Sequence, residues 1–245
     1  MVSSKALARD GVYDLHKYKD EKEIENIVVS NAPRVFCETS IYFDVKKRVS
    51  TRTKSRVTDG LLLELADPKN PRIWIEETEL AEHDPYKVIE PQIRGFIRAL
   101  DNEETLAEIR NLLYRRIQGD ASLRNKIGKI LGRTSELYYV LDSCLHGRKG
   151  IVIVIDEIRP DLEDITDDLS KDCEVETIEF KTYKKNSSLI HIFTPFKPSE
   201  ASERTYSPVH YSWEAALNSA NPEVRSIDLL RGSNLSIRSS LFHSA

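Results

Sequence analysis

The stretch GIVIVIDEI, Gly150 to Ile158, constrains the fold more than any other part of the chain. Successive side chains of an extended strand point to opposite faces, so the unbroken apolar run Ile151–Ile155 is apolar on both. Such a strand has to be covered on both sides, as in the interior of a layered α/β sheet. Asp156 and Glu157, where the run ends, read as strand-end polar residues.

The surrounding chain supplies the other layers. YKDEKEIENIVVSNA carries Ile24, Ile27 and Val28 at helical spacing and reads as an amphipathic helix. Ser40–Val49 reads as a strand, followed by the loop STRTKSR. DGLLLELA (Asp59–Ala66) and PRIWIEETEL form a β-hairpin about the turn residues DPKN. HDPYKVIEPQIRGFIRAL reads as a helix with Asp84 as N-cap and Pro85 at its first position; Pro91 either kinks it or marks its true start. The chain is then helical from about Glu103 to His146. After the apolar strand come a short helix in RPDLEDITDDLSKD and strands in EVETIEFKTYKK and SLIHIFTPF. This order predicts an α/β fold, a mixed central β-sheet flanked by helices, over residues 20–196 with a helical insertion at 103–147. Residues 1–19 form an N-terminal extension. Residues 197–245 are a Ser-rich, weakly periodic appendage with one helix near Trp213–Asn218.

Several function classes drop out. No run approaches the ~18 apolar residues of a membrane span, and the start MVSSKALARDGVYD lacks a signal-peptide core. Cys37, Cys144 and Cys173 are odd in number, widely spaced and fit no zinc pattern; they suit a reducing cytoplasm. The net charge of -4 argues against a uniformly basic nucleic-acid binder and leaves local basic patches open.

The acids of WIEETEL carry the chemistry. Glu77 and Glu79 share one strand face, where they repel each other and are costly to bury. The hairpin brings Asp59 towards them, on a face set by the turn. A four-residue turn at Asp67–Asn70 pairs Asp59 with Thr78 and puts it on the wrong face. A five-residue turn including Pro71, or a bulge, pairs it with Glu79 or Glu77. Pro71 has no N–H for the ladder, which favours the longer turn. Three carboxylates at one sheet edge are oxygen ligands of the kind Mg²⁺ or Mn²⁺ takes.

This arrangement resembles the PD-(D/E)XK nuclease superfamily, the restriction-endonuclease-like fold. That family carries an Asp at the start of one strand and Glu-x-Lys or Glu-x-Glu at the end of the next. TDG matches the first element, with Thr58 where Pro is usual, and ETE matches the second. Glu25 matches the family's Glu on the first helix, and QIRGF (Gln92–Phe96) its Gln-x-x-x-aromatic. The resemblance spans about residues 20–183. It implies a restriction-endonuclease-like core in which Asp59 and Glu77 bind Mg²⁺ or Mn²⁺ and Glu79 binds the metal or orients water. Glu25 completes the site, and Gln92 bonds a phosphate or ties its helix to the site. His83, just past the strand, is in reach as a proton carrier outside the core set. Glu79 stands where the family usually has Lys, as in a minority of active restriction enzymes; other members have lost site residues and only bind DNA.

Between Lys46 and Arg56 the chain holds six basic residues and no acid: Lys46, Lys47, Arg48, Arg52, Lys54 and Arg56. With Arg94 and Arg98, spaced i,i+4 on the helix of Gln92, they are the expected phosphate contacts. The expectation is a homodimeric, metal-dependent DNA endonuclease, since cutting both strands needs two sites. The competing reading is an inactive relative that binds DNA or a protein partner within a defence or repair assembly.

Overall fold

The structure is a computed structural model that describes residues 5–50, 55–67, 70–132, 137–197 and 224–228. Its centre is a mixed sheet flanked by helices. Strands β1 (Lys5–Ala8), β2 (Gly11–Leu15), β3 (Ser40–Ser50), β4 (Ser55–Glu64) and β5 (Arg72–Glu79) are followed by β6 (Lys149–Ile155), β7 (Glu174–Lys185), β8 (Ser188–Phe193) and β9 (Val224–Asp228). The helices are α1 (Glu21–Val35), α2 (Glu90–Ala99), α3 (Glu103–Gly119), α4 (Ala121–Leu131), α5 (Leu137–His146) and α6 (Pro160–Leu169).

The sheet runs β1-β2-β7-β6-β5-β4-β3, with β8 on β7 and β9 on β8. β3, β4 and β5 form an antiparallel meander, whereas β6 pairs in parallel with both β5 and β7. β6 is the apolar run, and its alternation divides the core. Val152 and Val154 pack with Leu62, Trp74 and Phe180 beneath Ile24, Val28 and Val35 of α1. Ile151, Ile153 and Ile155 pack with Leu61, Leu63, Ile73 and Ile75 beneath residues of α2, α3, α5 and α6. An all-apolar strand is stable here because each face has a helical layer of its own.

Local signals explain the helix starts. Asp20 caps α1 by accepting from the Glu23 N–H, and Asn102 caps α3 by accepting from the Thr105 N–H. Asp84 accepts from the N–H groups of Tyr86 and Lys87, but the turn it opens, Pro85–Ile89, is π-helical. The α-helix proper starts at Glu90, with Pro91 in its first turn, where a missing N–H is harmless.

Two features depart from the sequence reading. The segment expected as a loop, Ser50–Arg56, is strand at both of its ends: β3 runs to Ser50 and β4 begins at Ser55, while 51–54 lie outside the described residues. Residues 5–15, expected as an extension, form a hairpin whose turn glycine, Gly11, has φ +132 and whose second strand joins β7. The helix expected near Trp213–Asn218 lies outside the described residues. Among the described residues, no helix is long and apolar enough to cross a membrane.

Candidate functional site

The β4–β5 hairpin sets the site. Its ladder runs from Glu64–Arg72 to Gly60–Glu76, leaving Leu65–Pro71 as the connection. The next step of the same register sets Asp59 beside Glu77. There the side chains take over from the ladder. The Asp59 N–H donates to Glu77 Oε1 at 3.2 Å, and the Thr78 N–H donates to Asp59 Oδ2 at 3.1 Å. From α2, Gln92 Nε2 donates to Glu77 Oε2 at 2.6 Å. Asp59, Glu77 and Gln92 are thus in direct contact.

A β-bulge brings in a cation. Asp44 pairs with Gly60 and Lys47 with Thr58, so Val45 and Lys46 stand opposite the single residue Asp59. Lys46 has φ +43, a left-handed conformation that costs a non-glycine residue roughly 1–3 kcal/mol. Its ammonium donates to Asp59 Oδ1 at 3.0 Å and pairs with the Glu25 carboxylate. Burial alone would lower the Lys46 pKa; the bonds to Glu25 and Asp59 outweigh it and hold the pKa above its usual value. Glu25 therefore meets Asp59 through Lys46.

The neighbouring carboxylates lie in a dry environment. Glu76, on the α1 face, is fully buried and accepts from Tyr42 Oη at 3.0 Å and Thr78 Oγ1 at 2.8 Å. Burial, with Asp59 nearby, pushes it up to about 8. Glu77 is driven well above the ordinary carboxyl range by burial, then by Asp59 and Glu76.

Glu79 goes elsewhere. The donor atoms of Asp59, Glu77 and Glu79 do not gather within 4.8 Å of one another; the described residues that do so are Glu21, Glu79 and His83. The expected convergence of three acids is replaced by two clusters. The physical reason is the turn after β5, closed by the His83 N–H donating to Leu80 O at 3.0 Å. It folds the imidazole back so that Nδ1 lies 3.1 Å from Glu79 Oε2 and 3.0 Å from Glu21 Oε1.

The expected phosphate contacts divide. Lys46 is held by Asp59 and Glu25. Arg94 is clasped by Glu90, Asp168 and Asp172, so that it ties α2 to α6 and the segment after it. Arg98 is exposed on α2. Lys47, Arg48 and Arg56 lie on the paired arms of β3 and β4. Arg52 and Lys54 lie outside the described residues.

Sequence reasoning missed Glu76 as a buried acid, Glu21 as a neighbour of Glu79, and the bulge at Lys46. Glu76 was visible as the odd acid on the Trp74 face of the strand. The bulge has no sequence signal, since Val45–Lys46 carries neither Gly nor Pro. Comparison with known protein families, characterised proteins and solved structures returns no match.

Proposed function

We propose that the chain is a metal-dependent endonuclease that hydrolyses DNA phosphodiester bonds, built on a restriction-endonuclease-like core and acting as a homodimer. The observation that carries this reading is the contact between Asp59 and Glu77, buttressed by Gln92, at the end of the hairpin. A meander leading through helices α2 to α5 into parallel strands also accords with such a core.

The donor set fits Mg²⁺ or Mn²⁺: it is all oxygen, and the buried Glu77 has no cationic partner among the described residues. Asp59 and Glu77 would hold the ion, whose chemistry is to lower the pKa of a water and to offset charge developing on the phosphoryl group. Gln92 fixes the orientation of Glu77. Lys46 supplies a permanent positive charge beside Asp59, within a chain that has Glu79 where the family's lysine would stand. Lys47, Arg48 and Arg56, in the sequence of β3 and β4, are the contacts proposed for the DNA backbone.

The second reading, an inactive DNA-binding or protein-interaction component, is favoured by one observation: the Lys46 ammonium already pairs with both Asp59 and Glu25. Plasmid cleavage in Mg²⁺ or Mn²⁺ separates the two. The wild type is expected to cut, Asp59→Asn and Glu77→Gln to lose cutting while retaining DNA, and Gln92→Ala to cut about 10–100-fold more slowly. DNA retention without cutting by the wild type selects the second reading, and failure to retain DNA overturns the nuclease.

A further inference from the structure

The geometry points to a second cation site, separate from Asp59 and Glu77, formed by Glu21, Glu79 and His83 and suited to a divalent transition ion such as Mn²⁺ or Zn²⁺. Three segments converge on it. Glu21 opens α1, Glu79 ends β5, and His83 lies in the turn that follows. Each offers a donor atom, and the three lie within 4.8 Å of one another. The imidazole Nδ1 is 3.0 Å from Glu21 Oε1 and 3.1 Å from Glu79 Oε2. Neighbouring donors around an octahedral ion with bonds of about 2.1 Å stand about 3 Å apart, so these separations suit direct ligation.

The charge balance supports the same conclusion. Glu79 is 3% exposed, and among the described residues it forms an ion pair with His83, as Glu21 does. Two carboxylates that share only an imidazole have a charge deficit that a divalent ion removes. His83 is also pre-positioned: its N–H donates to Leu80 O, and its carbonyl accepts from Arg159 Nη2 at 3.4 Å. The ring remains one-third exposed, which gives an ion access and leaves room for water ligands. An imidazole among carboxylates shifts preference from Mg²⁺ towards borderline transition ions.

This site stands whether or not the chain cuts DNA, and it is tested without activity. The full chain, stripped with chelator, is titrated with Mn²⁺ and followed by pulsed electron paramagnetic resonance. The wild type is expected to bind a Mn²⁺ that shows imidazole nitrogen coupling. Asp59→Asn is expected to keep that signal. His83→Ala loses it, and Glu21→Gln, at an accessible helix start, weakens it by about tenfold or more. Circular dichroism checks that each variant is folded, and Glu21→Gln alone decides if His83→Ala is not. No nitrogen coupling in the wild type, its persistence in folded His83→Ala, or unchanged Mn²⁺ affinity in Glu21→Gln overturns the site.

Discussion

Glu76 sits on the α1 face of β5 without exposure, held by two hydroxyl donors and facing no cation among the described residues. Its pKa of about 8 and that of Glu79, about 7, exceed the ordinary 4.5, chiefly through burial. The sign follows from linkage. An acid whose folded pKa is raised binds its proton more tightly when folded. Its stabilising contribution is complete below about pH 4.5 and is lost as pH rises through 7–8. The metal-free protein should therefore lose about 2–5 kcal/mol of stability between pH 5 and 9, measured by urea unfolding. Glu76→Gln keeps the shape of the protonated acid and can still bond Tyr42 and Thr78. It should flatten that profile and be more stable than the wild type at pH 8.5. Parallel profiles for the two proteins would refute the assignment. A divalent ion should narrow the loss at high pH, because metal and proton compete for the carboxylates.

The hairpin β4–β5 and the bulge in β3 act as one element. Gly60 lies between them, and a Cβ there would come within 2.4 Å of the Tyr42 ring. Tyr42 cannot easily move aside, since it stacks on Phe36 with centroids 5.1 Å apart and donates to Glu76. Gly60→Ala should cost about 1–3 kcal/mol and disturb the neighbouring Asp59. An unchanged urea midpoint and unchanged near-ultraviolet dichroism would show that the ring relaxes freely. The same element shows where sequence reading runs out. The short apolar runs in LLLEL and RIWIEE, bounded by turn residues, identify both strands. Register depends on how the seven-residue connection folds, and a one-residue slip would turn Asp59 away from Glu77.

Across the whole molecule, cohesion is uneven. β5 and β6 are buried on both faces and paired on both edges. β1 and β2 are largely exposed, and β2 is registered to β7 through Asp14–Lys184 and Leu15–Tyr183. Hydrogen exchange should therefore separate them by about 5 kcal/mol of opening free energy, with β6 slowest and β1 fastest. Uniform protection would show that the hairpin is part of the cooperative core.

The apolar runs of β4, β5 and β6 and the capping residues Asp20, Asp84 and Asn102 follow from local chemistry. By itself the sequence therefore determined a mixed sheet between helical layers. It also placed acids near one end of a hairpin. Tertiary structure decided how those acids are grouped. Register set Asp59 beside Glu77, the bulge at Val45–Lys46 delivered an ammonium to Asp59 and Glu25, and the turn after β5 drew Glu79 to His83 and Glu21. Pairing offsets and turn closure arise between segments far apart in the chain. Residue type and spacing hold no record of them, because the energy that selects them is released only when the layers pack.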